Sequence, residues 1–199
     1  SEAGATRFAP VFNSVDHLMA RAPEILGTHY DIAYPGKQLL SARNLRALPL
    51  EKEHKAARAH MGQFFGWERP LYFGKITEPA RAFGRPDWFE NVRAEVMAAH
   101  ESAAIFDVSP FGKIEVEGPD TEAFLLKTCA GYMGNAPGSV IYTAMLNERG
   151  TFESDLTAQR IGETHYRLFV GTNAIKRDLA WLRRHADGFD VTLTDSTEK

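Results

Sequence analysis

Cysteine is nearly missing from this sequence: a single one, Cys129, stands among 199 residues. No internal disulfide can form, so the fold must be held by burial alone. Long apolar runs are missing too. No window nears the ~20 consecutive apolar residues of a membrane-crossing helix, and the start lacks the basic-then-apolar order of a secretory leader. The expected setting is the cytoplasm, or the mitochondrial matrix in a eukaryote. Neither charge sign is in excess: 23 basic residues face 26 acidic ones, interleaved along the chain, for a net charge of -3. That excludes the basic stripe that nucleic-acid binding requires.

Several motifs are also absent. The seven histidines, at 17, 29, 54, 60, 100, 165 and 185, include no i, i+4 pair. No two imidazoles then share a helical face, and no metal site is expected. Neither GxGxxG nor GxxxxGK[ST] occurs, so no glycine loop cradles a nucleotide phosphate, and any flavin must be gripped outside this chain. Cys129 lies in the apolar run AFLLKTCAGY, where it reads as a small buried hydrophobe and not as a nucleophile.

What is present is the make-up of a globular protein, 44% hydrophobic and 25% charged, large enough for one good core. Residues 1 to 50 stand apart. Pro10, Pro23, Pro35 and Pro49 interrupt them, and one short helix is expected, around Val15 to Ala22. They read as an irregular connector or the tail of a preceding domain. Within them, THYDIAYPGKQLLSARNLR mixes aromatics with arginine and serves equally well as docking surface or ordinary packing. The opening Ser1 and the closing DSTEK read as the ends of a segment from a longer polypeptide.

Beyond residue 50 the elements alternate. Leu50 to Phe65 has helical composition and stops at Gly66. In GWERP, which follows, Trp67, Glu68 and Arg69 have the makings of a stacked ion pair at a structural corner. Asp87 and Glu90 form a capping-box start for a helix from about Trp88 to Ala104, whose Phe89, Val92, Val96 and Met97 share one core-facing side. Ile105 to Val108 is a short strand candidate, and Ser109 to Gly112 a turn. Lys113 to Glu117 alternates as a strand with one wet face. Gly118, Pro119 and Asp120 start a helix with Phe124, Leu125 and Cys129 on a common face. Tyr166 to Val170 is a strand, Asn173 to His185 a helix, and Phe189 to Leu193 a last strand. The fold class that follows is α+β, an antiparallel sheet with packed helices, not a doubly wound parallel sheet.

The centre of the chain is VIYTAMLNERGTFESDL, Val140 to Leu156. Two β-rich arms meet at Asn147, Glu148, Arg149 and Gly150, the pattern of a four-residue hairpin loop. Tyr142 and Asp155 lie at similar distances from its tip, so an antiparallel register brings a phenol and a carboxylate together. On spacing alone they serve equally as rim tyrosine and solvated acid or as a binding site.

Together, GWERP, IFDVSPFGKIEVEGPD, VIYTAMLNERGTFESDL and WLRRH resemble, in this order, the glycine-cleavage T-protein family over about residues 50 to 199. Within it they resemble the branch fused to flavin amine dehydrogenases of the dimethylglycine and sarcosine type. YDIAYPGKQLLSARNLRALPL is similar to the join between the flavin and folate domains of those fused enzymes. The resemblance implies residues 1–50 as the tail of an upstream FAD-oxidoreductase domain and residues 51–199 as the first part of a tetrahydrofolate-binding domain. It implies an enzyme that passes the carbon released from an N-methyl amine to tetrahydrofolate, giving 5,10-methylenetetrahydrofolate. Its partners are then folate, a methylated amine and the flavin domain, with FAD bound outside this segment. Tyr142, Asp155, Thr157 and Gly171 would line the folate pocket, with Asp155 catalytic. Free-standing T-proteins carry two adjacent acids where this chain has Ser154 and Asp155. The alternatives are a stand-alone aminomethyltransferase or folate-dependent demethylase, and a non-catalytic folate-binding regulator.

Overall fold

Ile114 and Val116 are fully buried while Lys113 and Glu117 on either side of them are not, and this period of two sets the architecture of the second half of the chain. The computed structural model describes residues 10–75 and 83–198. The chain divides into two compact units, one spanning residues 8–109 and the other built on residues 110–199.

The later unit is a five-stranded antiparallel sheet with two helices. Its strands are β3 (Gly112–Glu117), β4 (Val140–Leu146), β5 (Phe152–Gly162), β6 (His165–Val170) and β7 (Thr192–Asp195), in the order β4-β5-β6-β3-β7. Every neighbouring pair is antiparallel. The helices are α4 (Thr121–Thr128) and α5 (Ile175–Arg184). The core joins Ile114, Val116, Leu156, Ala158, Tyr166, Leu168 and Val170 from the sheet to Phe124 and Leu125 of α4 and Leu179 and Leu182 of α5. At roughly 1.5–3 kcal/mol for each fully buried large apolar side chain, this layer is what holds the sheet in one register. Both helices therefore cover one face. The other face carries Tyr142, Asp155, Thr157, Phe169 and Arg167, all exposed or half-buried.

The earlier unit opens with a short 3-10 turn (Pro10–Asn13) and α1 (Val15–Gly27), followed by α2 (Glu51–Ala56), β1 (Ala59–Phe64), β2 (Trp67–Phe73) and α3 (Phe89–Glu101). β1 and β2 form an antiparallel hairpin.

Several sequence expectations are corrected here. The helix expected over Leu50 to Phe65 ends at Ala56, because Arg58 takes a left-handed conformation, φ 62°, and Ala59 to Phe64 pair with β2. GWERP is therefore strand and not corner. Its Glu68 is held by Arg43, its Trp67 lies under Arg46, and Arg69 sits over Phe64. Pro23 lies inside α1, which runs on to Gly27 instead of stopping near Ala22. The capping box at Asp87 does not form: α3 starts at Phe89 without a side-chain cap, and none of its residues is buried. Ile105 to Val108 makes no strand, with Ile105 and Phe106 exposed. Phe189 packs on the core from a loop, and the final strand begins later, at Thr192.

Candidate functional site

The hairpin of β4 and β5 is closed by Asn147. Its N–H donates to Thr151 O at 2.9 Å, and its side-chain oxygen accepts from the N–H groups of Arg149 and Thr151. Gly150 supplies the left-handed step, φ 73°, that the return requires. This loop fixes the register, which pairs Tyr142 with Thr157 and Ala144 with Asp155.

Tyr142 and Asp155 are thus diagonal neighbours on one face. The phenol donates to Asp155 Oδ2 at 3.0 Å. Because that hydrogen bond and the carboxylate charge favour the protonated phenol, Tyr142 titrates above the ordinary tyrosine value. Its ring is 74% exposed, an open aromatic surface. Thr157 lies between Tyr142 and Phe169, its partners on the two sides. Val170, the last residue of β6, pairs with Leu156, so the next step of that register sets Gly171 level with Asp155. Gly171 then leads into α5, its carbonyl accepting from Ala174 N at 2.8 Å. The structure brings Tyr142, Asp155 and Thr157 together on one face and puts Gly171 at the edge of that patch. It does not hold Gly171 in the left-handed region, and a Cβ there would meet the Asn173 side-chain oxygen at 3.2 Å.

Behind Asp155, on the helix side, is a group that sequence reasoning missed. Asp178, only 1% exposed, accepts from Ser154 Oγ at 2.7 Å and from Arg177 Nε at 3.0 Å. Burial pushes its carboxyl above the usual range, the Ser154 and Arg177 contacts pull the other way, and the charge of Asp155 adds to the rise. The signal was present in the sequence. Ile175, Asp178, Leu179 and Leu182 follow the i, i+3, i+4, i+7 spacing of a buried stripe, with an acid in it.

Two further polar clusters are structural in shape. On the open face Glu115 accepts from Arg167 Nε and Ser196 Oγ, both at 2.7 Å, and lies 2.8 Å from His165 Nε2. In the earlier unit Asp107 lies 2.8 Å from His54 and accepts from both the N–H and the hydroxyl of Ser109. That serine donates to the acid and not to the histidine, so no activated nucleophile results. Cys129 caps α4, and burial pushes its thiol up to about 11. Among the described residues no group of three or more His, Cys, Asp or Glu is placed to hold a metal, and no helix is long and apolar enough to cross a membrane.

A five-stranded antiparallel sheet, helices on one face and a phenol–carboxylate pair on the other, defines an α+β domain. Residues 50–199 match the GCVT N-terminal domain, and residues 1–47 match the FAD dependent oxidoreductase central domain. The chain belongs to the GCVT family. It is 32% identical, over 96% of its own length and 24% of the relative's, to a 4-methylaminobutanoate oxidase (formaldehyde-forming) of Paenarthrobacter nicotinovorans. It is 31% identical, over 78% of its length and 39% of the relative's, to an aminomethyltransferase of Thermosipho melanesiensis. The crystal structure of the glycine cleavage system aminomethyltransferase T from Bartonella henselae superposes with a TM-score of 0.61 at 28% identity, covering 77% of this chain and 38% of that one. The chain therefore spans about a quarter to two fifths of the length of these relatives.

Proposed function

We propose that this chain is the folate-binding segment of a flavin-dependent N-methyl amine dehydrogenase of the dimethylglycine or sarcosine type. The one-carbon unit released by amine oxidation would be transferred to tetrahydrofolate, giving 5,10-methylenetetrahydrofolate. In this proposal residues 1–50 are the tail of an upstream FAD-oxidoreductase domain and residues 51–199 the beginning of the folate domain. The observation that carries it is the pairing of Tyr142 with Asp155 on the open sheet face, in a chain whose first 47 residues match a flavin oxidoreductase domain.

The open face suits a reduced pterin. Tyr142 offers an exposed ring, Phe169 and Thr157 a half-buried floor, and Asp155 a carboxylate at its edge. When bound, tetrahydrofolate supplies the nitrogens that accept the carbon. This chain's own residues would do the rest. Tyr142 stacks and orients the ligand, and its hydroxyl holds Asp155 in place. Asp155 stabilises the positive charge that develops near its second oxygen and relays a proton there. Thr157 contacts the same ligand face, and Gly171 leaves room for it at the sheet edge. The flavin and the amine would be held outside this chain, so the chain alone is expected to be inactive. A cytoplasmic or mitochondrial-matrix setting belongs to the same proposal.

The test uses the whole natural protein that carries this chain. Its visible spectrum is recorded before and after dimethylglycine and then sarcosine, and methylenetetrahydrofolate is measured for the native protein and for Asp155→Asn. A flavin band that bleaches, with product formation that collapses in the variant, supports the proposal. A colourless protein points to an aminomethyltransferase, and folate binding with a yield indifferent to Asp155 points to a regulator without turnover.

A further inference from the structure

We infer that Asp178 is a positioning residue for Asp155, acting through Ser154 from the opposite face of the sheet. A carboxylate with 1% exposure, in the first turn of a helix whose other inward residues are Ile175, Leu179 and Leu182, is costly to bury. A leucine there would pack at no such cost. What the acid contributes is a closed triangle of polar contacts: Ser154 Oγ to Asp178 Oδ2 at 2.7 Å, Arg177 Nε to Asp178 Oδ1 at 3.0 Å, and Arg177 Nη2 to Ser154 Oγ at 3.2 Å.

The triangle fixes two things. Ser154 is adjacent to Asp155 on β5, and successive strand residues point to opposite faces, so locking Ser154 inward locks Asp155 outward. The register beside it is vulnerable, because the β4–β5 pairing shifts between Met145 and Leu146, one step from the Met145–Ser154 pair. A bulged strand needs such an anchor to aim its side chains. From the helix side, Asp178 N–H donates to Ala174 O and Ala174 N–H to Gly171 O, both at 2.8 Å. One clamp thus ties the Gly171 corner to the strand bearing Asp155.

The role in folate chemistry rests on the proposed function, but the positioning itself is read without folate. Tyr142 titrates high because Asp155 accepts its hydroxyl, so the phenol reports whether Asp155 is in place. The experiment labels tyrosine at Cζ in the whole natural protein, assigns Tyr142 by its loss in Tyr142→Phe, and follows its titration by NMR. Native protein, Asp155→Asn, Asp178→Asn and Ser154→Ala are compared, with thermal unfolding of each. The expected result is that Asp178→Asn and Ser154→Ala remain folded and bring the Tyr142 titration down to that of Asp155→Asn. Tetrahydrofolate affinity then falls roughly two- to tenfold, the scale of one lost hydrogen bond, while flavin bleaching by amine is unchanged. If Asp178→Asn cannot fold, Ser154→Ala decides alone. A folded Ser154→Ala or Asp178→Asn whose Tyr142 still titrates as in the native protein overturns the inference. So does a native Tyr142 that titrates as in Asp155→Asn. A native protein that binds no tetrahydrofolate but shows the expected Tyr142 shifts refutes the folate proposal and leaves the positioning intact.

Discussion

Glu68 on β2 is held by Arg43, twenty-five residues upstream, and not by its neighbour Arg69. The Arg43 guanidinium takes both carboxylate oxygens, Asn44 N–H donates to one of them at 2.8 Å, and Arg43 Nη2 also reaches Met61 O at 3.1 Å. Removing one partner leaves the other charge buried and unpaired, which costs on the order of 3 kcal/mol. Arg43→Met should therefore lower the unfolding free energy of the earlier unit by that much, read as a fall in its denaturant midpoint, and Glu68→Gln by less, since the amide keeps one acceptor. An unchanged midpoint in Arg43→Met would mean that the pair is solvated.

On the other unit, the Tyr142–Asp155 contact separates ring from hydroxyl. Tyr142→Phe keeps the aromatic surface and loses one hydrogen bond, worth about 0.5–1.5 kcal/mol, or roughly two- to tenfold in affinity. Tyr142→Ala loses the surface as well. Tetrahydrofolate titration of the whole protein should rank native, Phe and Ala in that order. Equal weakening in the two variants would assign the whole effect to the hydroxyl and deny the ring a stacking role.

The sequence made legible whatever repeats with a fixed period. The hairpin of residues 140 to 156 and the strand of Lys113 to Glu117 follow from alternation and stand where the pattern places them, although Glu115, on the face expected to be wet, is buried, and the helix expected over Asn173 to His185 forms from Ile175 to Arg184. The fold class followed from these alone. Opaque to local reading were residues whose partners lie far off in sequence. Helical composition from Leu50 to Phe65 lost to the pairing of Ala59–Phe64 with Trp67–Phe73, which propensity does not record. Asp178 was visible as an acid in an apolar stripe, but its partner Ser154 is twenty-four residues away. Tyr142 and Asp155 could be brought near by counting from the turn, whereas their diagonal contact depends on the pairings Tyr142–Thr157 and Ala144–Asp155. The placing of Thr157 and Gly171 beside them came from family resemblance and not from periodicity.

Acid should loosen the earlier unit through Glu24. Burial alone would raise its carboxyl, but Leu40 N–H at 2.7 Å, the Ser41 hydroxyl and N–H, and Arg21 outweigh burial and hold it at about 2, against 4.5 for a free glutamate. A folded value below the unfolded one adds stability that is complete above pH 4.5 and is lost as the pH falls from there towards 2. Glu68 and Asp107, held low despite burial by Arg43 with Asn44 and by Ser109 with His54, add slopes of the same sign. In urea titrations from pH 6 to pH 2, Glu24→Gln should be the less stable protein at pH 6 and should fall less steeply than the native chain. Parallel curves would show that Glu24 is not bonded to Leu40 and Ser41 in solution.

Cys129 offers a test of the other unit that needs no variant. Its backbone closes α4, the N–H donating to Leu125 O at 2.8 Å, and the residue is only 7% exposed. Burial lifts the thiol to about 11, with Thr128 opposing only weakly at 3.9 Å. Only the thiolate attacks a disulfide reagent, and three units below its pKa roughly one thiol in a thousand is ionised. At pH 8 the native chain should therefore leave an aromatic disulfide reagent untouched on a timescale where denatured chain releases one equivalent. Reaction of the native protein at the denatured rate would place Cys129 outside the core, and with it Phe124 and Leu125, which share its helix and pack under the same sheet.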